Sequence, residues 1–160
     1  MYEVIDHHQF NKEKDLESCA LKIRLMLTYL IVLCIYRSPS GNFSYFIIQI
    51  EMTLNKLYKI SSNIIVCGDF NVKFLDSSSK ASPLKSLYYL FGLESTVNFP
   101  TWIMHSSQTL IDNIFLDKKN LNTITYPFIN GISDHDGQIV TARCNHSSTK
   151  NTFYIHKRNK

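Results

Sequence analysis

The sequence predicts an α/β domain, because short apolar runs alternate with segments of helical periodicity along most of its length. The chain has 160 residues, of which 44% are hydrophobic and 19% charged, which suffices for one domain with its own core. A net charge of +4 allows a polyanionic partner without requiring one. The four cysteines are widely spaced and include no C-x-x-C pair, which favours reduced packing residues over a zinc knuckle or a disulfide framework.

No segment indicates a secreted or membrane-spanning protein. The longest apolar run, residues 25–36, is 12 residues long, whereas a transmembrane helix needs about 20. The first 18 residues are mixed in charge and lack the cleavage pattern of a signal peptide. We therefore expect a nuclear or cytoplasmic protein without a membrane partner. We predict residues 25–36 as a buried strand that ends at the turn "RSPSGN".

Helical patterns follow this strand at two places. Six apolar residues recur at helical spacing and predict an amphipathic helix of about 15 residues: Phe43, Phe46, Ile47, Ile50, Leu54 and Leu57. A strand is predicted directly after it, at residues 63–67. A second helix is predicted from Ser82 as the N-cap, Pro83 in the first turn and Gly92 as a left-handed C-terminal cap.

Two more strands complete the predicted domain, at residues 109–116 and 138–144. We assign residues 19–144 to the folded domain. Residues 1–18 are predicted to be a polar N-terminal segment, and residues 145–160 a basic polar tail.

Polar residues stand at the ends of two predicted strands. Asp69 and Asn71 come just after one strand, and Asp134 and His135 come just before the last one. If these two strands are antiparallel neighbours, the four side chains share one rim of the sheet. Asp112 lies among apolar residues of a third strand, where an ionised carboxylate is costly unless it has a partner such as His135.

Such a set of side chains suits phosphodiester hydrolysis. Carboxylates hold a hard divalent cation and orient water, an amide positions that water, and a histidine held by an aspartate stabilises charge on phosphoryl oxygens. A purely structural interpretation is also open: Asp69 and Asn71 form an Asx turn, residues 133–136 cap a strand, and Asp112 is partly exposed. Composition alone does not choose between these interpretations.

Four motifs, in this order and at these separations, resemble the later part of the endonuclease/exonuclease/phosphatase superfamily: "IYRSPSGNF", "IIVCGDFNVKF", "FPTW…SQTLIDNIF" and "NGISDHDGQIV". More narrowly, they resemble the endonuclease domain of jockey-like non-LTR retrotransposon polyproteins. The resemblance covers roughly two-thirds of the chain. It implies a two-layered β-sandwich flanked by helices, DNA as the partner, Mg²⁺ or Mn²⁺ as the cofactor and no small-molecule cofactor. Full-length relatives carry a reverse transcriptase domain, for which no pattern follows here.

The resemblance implies a catalytic role for four positions. Asp69 resembles the family's water-activating aspartate, and Asn71 resembles the partner that orients the phosphate or the nucleophile. His135 matches the histidine that contacts the scissile phosphate. Asp112 resembles the acid that orients this histidine.

The resemblance also implies phosphate and metal contacts. Tyr36 matches a tyrosine near the phosphate, where Asn71 and His135 also bind, and Asp134 matches the metal- or water-associated aspartate of the S-D-H motif. Trp102 departs from the family, which commonly has arginine at this position, and so removes a possible phosphate contact.

The early motifs of the family are a further departure. In the family, an asparagine and a metal-binding glutamate precede the strand of Tyr36 by most of a sheet, and only 35 residues precede it here. None of Glu3, Glu13 and Glu17 lies in the family's glutamate context. The resemblance thus implies an N-terminally truncated domain with impaired cleavage, and with apolar residues of 25–36 left open. The alternative is a catalytically inactive relic or a nucleic-acid-binding remnant; a small-molecule phosphatase on the same fold is disfavoured.

Overall fold

The structure is a computed structural model, and it describes residues 1–6, 8–25, 28–75, 79–117, 121–129, 131–144 and 153–156. The α-helices are α1 (Phe43–Tyr58) and α2 (Ala81–Leu90), and a short 3-10 helix spans His8–Phe10. The strands are β1 (Tyr2–Ile5), β2 (Leu16–Arg24), β3 (Tyr29–Arg37), β4 (Ile64–Asp69), β5 (Glu94–Ser95), β6 (Trp102–Met104), β7 (Ser107–Thr109), β8 (Asp112–Leu116), β9 (Leu121–Phe128), β10 (Gly137–Cys144) and β11 (Phe153–His156).

Three sheets contain these strands. The largest has six strands in the order β1-β2-β3-β4-β8-β5, and the others are β11-β10-β9 and the hairpin β6-β7. Among the described strands, only β3 and β4 pair in parallel, and the connection between them carries α1, as is usual for a crossover between parallel strands. This alternation of strands and helices confirms the predicted α/β class. No helix in the described part of the chain is long and apolar enough to span a membrane.

The first helix forms where its apolar spacing predicts. The side chain of Asn42 caps it by accepting a hydrogen bond from the Tyr45 backbone N–H at 2.9 Å. Its buried residues are Phe46, Ile50, Thr53, Leu54 and Leu57, and all of these except Thr53 belong to the main hydrophobic core.

The second helix begins two residues earlier than predicted. Its N-cap is Lys80, which makes no side-chain capping bond, so the prediction of Ser82 as the cap is wrong. The predicted end is confirmed, because Gly92 has a φ of 70° and donates its backbone N–H to Tyr89 O. The adjacent Leu93 N–H bonds to Tyr88 O, which satisfies the carbonyls of the last turn.

The apolar run 25–36 is not left open. Its strand β3 lies between β2 and β4, and its side chains pack in one core with those of both helices. Five of its residues are at most 6% exposed, so the prediction of unusual exposure is wrong: Leu30, Ile31, Val32, Leu33 and Ile35. The strand begins at Tyr29 rather than at residue 25: Arg24 of β2 pairs with Tyr29, and the Leu25 N–H bonds to Thr28 O.

Both predicted terminal segments contain strands. Residues 2–5 form β1, which pairs with β2 in antiparallel register from Tyr2 opposite Ile23 to Ile5 opposite Ala20. At the other end β11 pairs with β10. The division into residues 1–18, 19–144 and 145–160 stays a prediction, and much of 145–160 lies outside the described residues.

Candidate active site

A row of polar side chains crosses one end of the six-stranded sheet. Glu17 on β2 pairs with Tyr36 on β3, Tyr36 pairs with Asp69 on β4, and Asp69 pairs with Asp112 on β8. Residues paired across neighbouring strands project to the same face, so these four share one rim. Tyr36 is 44% exposed there. The rim therefore holds a phenol between two carboxylate-bearing strands.

Three predicted residues meet at this rim. Ligand atoms of Asp69, Asp112 and His135 all lie within 4.8 Å of one another. His135 Nδ1 is 2.8 Å from Asp112 Oδ2, and the Asp112 side chain is almost fully buried. The purely structural interpretation, in which Asp112 is partly exposed, does not hold for this residue. A buried carboxylate at hydrogen-bond distance fixes the orientation of the imidazole ring, so that Nε2 is the ring atom directed away from the acid.

The strands that carry the two motifs are not neighbours. β4 pairs with β3 and β8, whereas β10 belongs to the three-stranded sheet, so the predicted antiparallel pairing of these two strands is wrong. His135 reaches the rim by another route. It forms a bridge with Trp102, the first residue of the β6-β7 hairpin, and this hairpin leads directly into β8.

Thr101 fastens the loop of His135 to the start of β8. Its side-chain oxygen accepts the backbone N–H groups of Ile111 and Asp112 at 3.2 and 3.0 Å. Its carbonyl accepts the Asp136 N–H at 2.8 Å, and the residue is fully buried. Sequence reasoning missed Thr101, and only its place beside Trp102 in the "FPTW" motif pointed to it.

Asp134 is held by the hairpin and is not part of the three-residue group. The indole Nε1–H of Trp102 donates to Asp134 Oδ2 at 2.7 Å, and the Ile103 N–H donates to Asp134 O at 2.9 Å. Trp102 replaces the arginine that is common at this position in the family, and here it donates a hydrogen bond to Asp134. The structure places Asp134 next to the site but does not bring its carboxylate together with Asp69 and Asp112.

Asn71 supports Asp69 through a local turn. Its backbone N–H donates to Asp69 Oδ1 at 3.0 Å, which confirms the Asx turn, and its side-chain Nδ2 donates to Arg37 O at 2.7 Å. The residue has a φ of 48°, a left-handed conformation that asparagine adopts more readily than most residues. The turn thus fixes one oxygen of Asp69.

A buried arginine holds the same turn from below. Arg37 is fully buried, and its guanidinium donates to the carbonyls of Phe70, Asn71 and Gly41 at 3.4, 3.3 and 2.9 Å. Burial lowers the pKa of the Arg37 guanidinium from its ordinary value, while the negative charge of Asp15 acts in the opposite direction. Sequence reasoning missed this role, since nothing in "YRSPSGN" shows which side chain turns inward.

The donors at this rim fit a hard divalent cation in part. Asp69 and Asp112 offer the carboxylate oxygens that Mg²⁺ and Mn²⁺ prefer. However, Asp112 Oδ2 is bonded to His135, and Asp69 Oδ1 accepts the Asn71 N–H. In the described part of the chain, Asp69, Asp112 and His135 form the one group of three or more acidic, histidine or cysteine side chains that could hold a metal ion. We infer that such an ion has few uncommitted protein oxygens.

Replacing Trp102 with phenylalanine tests whether the indole positions the loop. The change keeps an aromatic ring but removes the donor to Asp134, so we expect a loss of about 0.5–1.5 kcal/mol in the free energy of unfolding in urea. Amide exchange at Ile103, whose N–H donates to Asp134 O, should rise about threefold or more. Tyr89→Phe, at an exposed phenol, is the matched control. Unchanged amide exchange at Ile103 would mean that contacts other than the indole hydrogen bond hold the loop of Asp134 in place.

Comparison with known proteins identifies the fold and the family. The architecture is that of an endonuclease/exonuclease/phosphatase domain, as the motifs indicated. A model of the endonuclease-reverse transcriptase family matches residues 30–139, more than half of the chain, and the chain belongs to this family. No curated protein matches the chain.

Solved structures with the same fold carry different activities in their names. The endonuclease domain of TRAS1, a telomere-specific non-LTR retrotransposon, is 16% identical, with a TM-score of 0.69 over 92% of this chain and 70% of that one. TDP2 of D. rerio, complexed with a single-strand DNA product, is 16% identical, with a TM-score of 0.55 over 86% and 65%. A mannosyl-6-phosphatase of Bacteroides thetaiotaomicron is 14% identical, with a TM-score of 0.55 over 78% and 55%. At such identities the likeness shows the fold.

Proposed function

We propose that this chain is a DNA endonuclease domain that hydrolyses phosphodiester bonds with the help of Mg²⁺ or Mn²⁺. One observation carries the proposal: His135 Nδ1 lies 2.8 Å from the buried Asp112 carboxylate, with Asp69 in the same group. A carboxylate such as Asp69 can accept a proton, and an imidazole held in one orientation by Asp112 can stabilise the negative charge that develops on a phosphoryl oxygen. Membership of the endonuclease-reverse transcriptase family supports DNA as the polymer.

The residues divide the work as follows. Asp69, held by the Asn71 turn, accepts a proton from water or orients it for attack. His135 donates a hydrogen bond from Nε2 to a phosphoryl oxygen, and Asp112 stabilises the positive charge that the imidazole then carries. The Tyr36 hydroxyl, on the same rim, and the Asn71 side chain are proposed as phosphate contacts.

Asp69 would hold the divalent cation, with Asp134 as a further ligand if its bond to Trp102 opens. The bound cation would supply charge neutralisation at the phosphate and activation of water. Because one oxygen of Asp112 and one oxygen of Asp69 already have partners, we propose that cation affinity is weak and that cleavage is impaired.

Binding partners are proposed on the same basis. The charge of +4 and the DNA complex of D. rerio TDP2 favour DNA as the ligand. The family description pairs the endonuclease with a reverse transcriptase, which we propose as the neighbouring activity in longer relatives. A nuclear or cytoplasmic location agrees with action on DNA.

A second candidate, a nucleic-acid-binding remnant without activity, is favoured by the bond that commits Asp134 to Trp102. The two candidates differ in chemistry rather than in affinity. A remnant binds DNA equally well with and without a divalent cation, because phosphate contacts need no catalytic metal.

The deciding experiment is nicking of supercoiled plasmid over a titration of Mn²⁺ and Mg²⁺. We expect slow nicking that grows as the cation concentration reaches about 10⁻³ M and stops in EDTA. DNA binding is measured in parallel on the same preparation. Nicking that persists in EDTA would contradict the metal requirement. DNA binding without nicking at any cation concentration would establish the remnant, and hydrolysis of a sugar phosphate without nicking would establish a phosphatase.

A further inference from the structure

The sheet face that carries the acidic rim also carries three cysteines. Cys19 on β2 pairs with Cys34 on β3, and Cys34 pairs with Cys67 on β4. Cys34 and Cys67 each precede a rim residue, Tyr36 or Asp69, by two positions. Side chains two residues apart in a strand lie on the same face, about 7 Å from each other. A row of thiols therefore runs parallel to the rim, one step further into the sheet.

Two of these thiols are in contact. Cys34 Sγ lies 3.7 Å from Cys67 Sγ; Cys34 is exposed, Cys67 is half-buried, and neither is in a disulfide. Neighbouring strands lie about 4.8 Å apart, which falls inside the Cα separation of about 4.4–6.8 Å that disulfides span. From this spacing we infer that rotation of the two side chains can bring the sulfurs from 3.7 Å to bonding distance without a large backbone shift.

We propose that Cys34 and Cys67 form a redox-active dithiol, which a low-molecular-weight disulfide such as oxidised glutathione converts into a cross-strand disulfide. In the first step the Cys34 thiolate attacks one sulfur of oxidised glutathione and releases one glutathione thiolate. In the second step the Cys67 thiolate attacks the Cys34 sulfur of the mixed disulfide and releases the other. Two protein thiols are oxidised, one glutathione disulfide is reduced to two thiols, and the two protons leave with the glutathione or the solvent.

Cys19 tests whether the native geometry selects the pair Cys34 and Cys67, because it lies next to Cys34 on the opposite side. It lies on the far side of Cys34 from Cys67, so that Cys19 and Cys67 are two strand spacings apart, about 10 Å. These two cannot bond to each other, and Cys34 can bond to only one of them at a time. The contact between Cys34 and Cys67 selects that pair. The resulting bond would join β3 to β4 directly beneath Tyr36 and Asp69, and so would fix the backbone under the candidate active site.

The test is to treat the folded full chain with mixtures of oxidised and reduced glutathione and to quench with an alkylating agent. Trypsin digestion without reduction then places the three thiols in separate peptides, residues 15–22, 25–37 and 60–73. We expect a linked pair of 25–37 with 60–73, at least about tenfold more abundant than 15–22 linked to 25–37. This preference should disappear when the oxidation is carried out in urea.

Serine variants provide the matched controls. Cys19→Ser should form the same linked pair as the natural sequence, to within about twofold. Cys34→Ser and Cys67→Ser should not form it. In Cys34→Ser, Cys67 should end as a mixed disulfide with glutathione, because Cys19 is two strand spacings away; in Cys67→Ser, Cys34 is left to react with glutathione or with Cys19. A dominant bond between Cys19 and Cys34, a mixed disulfide at Cys34 that persists in the natural sequence, or the same product distribution in urea would each overturn the proposal, and these outcomes need no variant to fold.

Discussion

Replacement of His135 with alanine is expected to slow metal-dependent nicking of plasmid DNA by about 10²–10⁴-fold, because the change removes the proposed donor to the phosphoryl oxygen. Asp112→Asn should cause a loss of similar size, since an amide at this position no longer balances the charge of the imidazole held 2.8 Å away. Rates are measured with Mn²⁺ under single-turnover conditions, so that weak cation binding does not limit the comparison.

The double variant decides whether the two residues act as one unit. If Asp112 works through His135, the double variant loses no more activity than the more damaging single variant, to within about threefold. Multiplicative losses would mean that Asp112 has a separate role, such as holding the cation. His105→Asn is the matched histidine control, because His105 is exposed in the hairpin turn and asparagine tolerates its φ of 53°. It should retain activity to within about twofold.

Replacement of Arg37 with alanine should lower the free energy of unfolding by about 3–5 kcal/mol, because it leaves a cavity and removes the donors to three carbonyls. Urea denaturation measures this loss. Arg37→Met, which keeps most of the volume, should recover about half of it. Stability does not recover fully in Arg37→Met because the three carbonyls stay without their donor. The substitution also removes the buried Nε–H, which has no partner among the described residues, and this removal favours the folded state.

The control for this series is Arg24→Ala at the exposed end of β2, with an expected change of about 0.5 kcal/mol or less. Equal losses for Arg24→Ala and Arg37→Ala would mean that the guanidinium does not organise the turns at Gly41 and Asn71. Failure of Arg37→Ala to fold at all would agree with the expected loss, since natural domains have only about 5–15 kcal/mol of stability.

The parts of the fold that sequence predicts are those with strong local patterns. Helix α1 follows from its apolar spacing, and the left-handed end of α2 follows from Gly92, because both depend on short stretches of chain. The end of β2 at Arg24 and the start of β3 at Tyr29 were not predicted, since residues 25–28 contain no glycine, proline or asparagine and continue the apolar run. Pairing of β4 with β8 instead of β10 depends on long-range contacts that no local pattern encodes.

The site divides in a similar way. Motif order was enough to name Asp69, Asp112 and His135, which the structure brings together. It could not show that Asp134 bonds to Trp102, because that bond joins a loop to a hairpin strand 32 residues away in the sequence. Nor could it show that Thr101 lies buried between the hairpin and β8, since burial of a polar side chain is settled by tertiary packing.

The Asp112–His135 pair joins a strand of the six-stranded sheet to the loop that enters the three-stranded sheet. A small separation of the two sheets would break this pair while both helices and most strands persist, so we expect the pair to be lost before global unfolding. Circular dichroism, which reports helix and strand content, would then overstate the fraction of molecules in which the pair is intact. The single tryptophan of the chain, Trp102, lies at this junction and bonds to Asp134. Its fluorescence is an intrinsic gauge of whether the two halves of the site are joined.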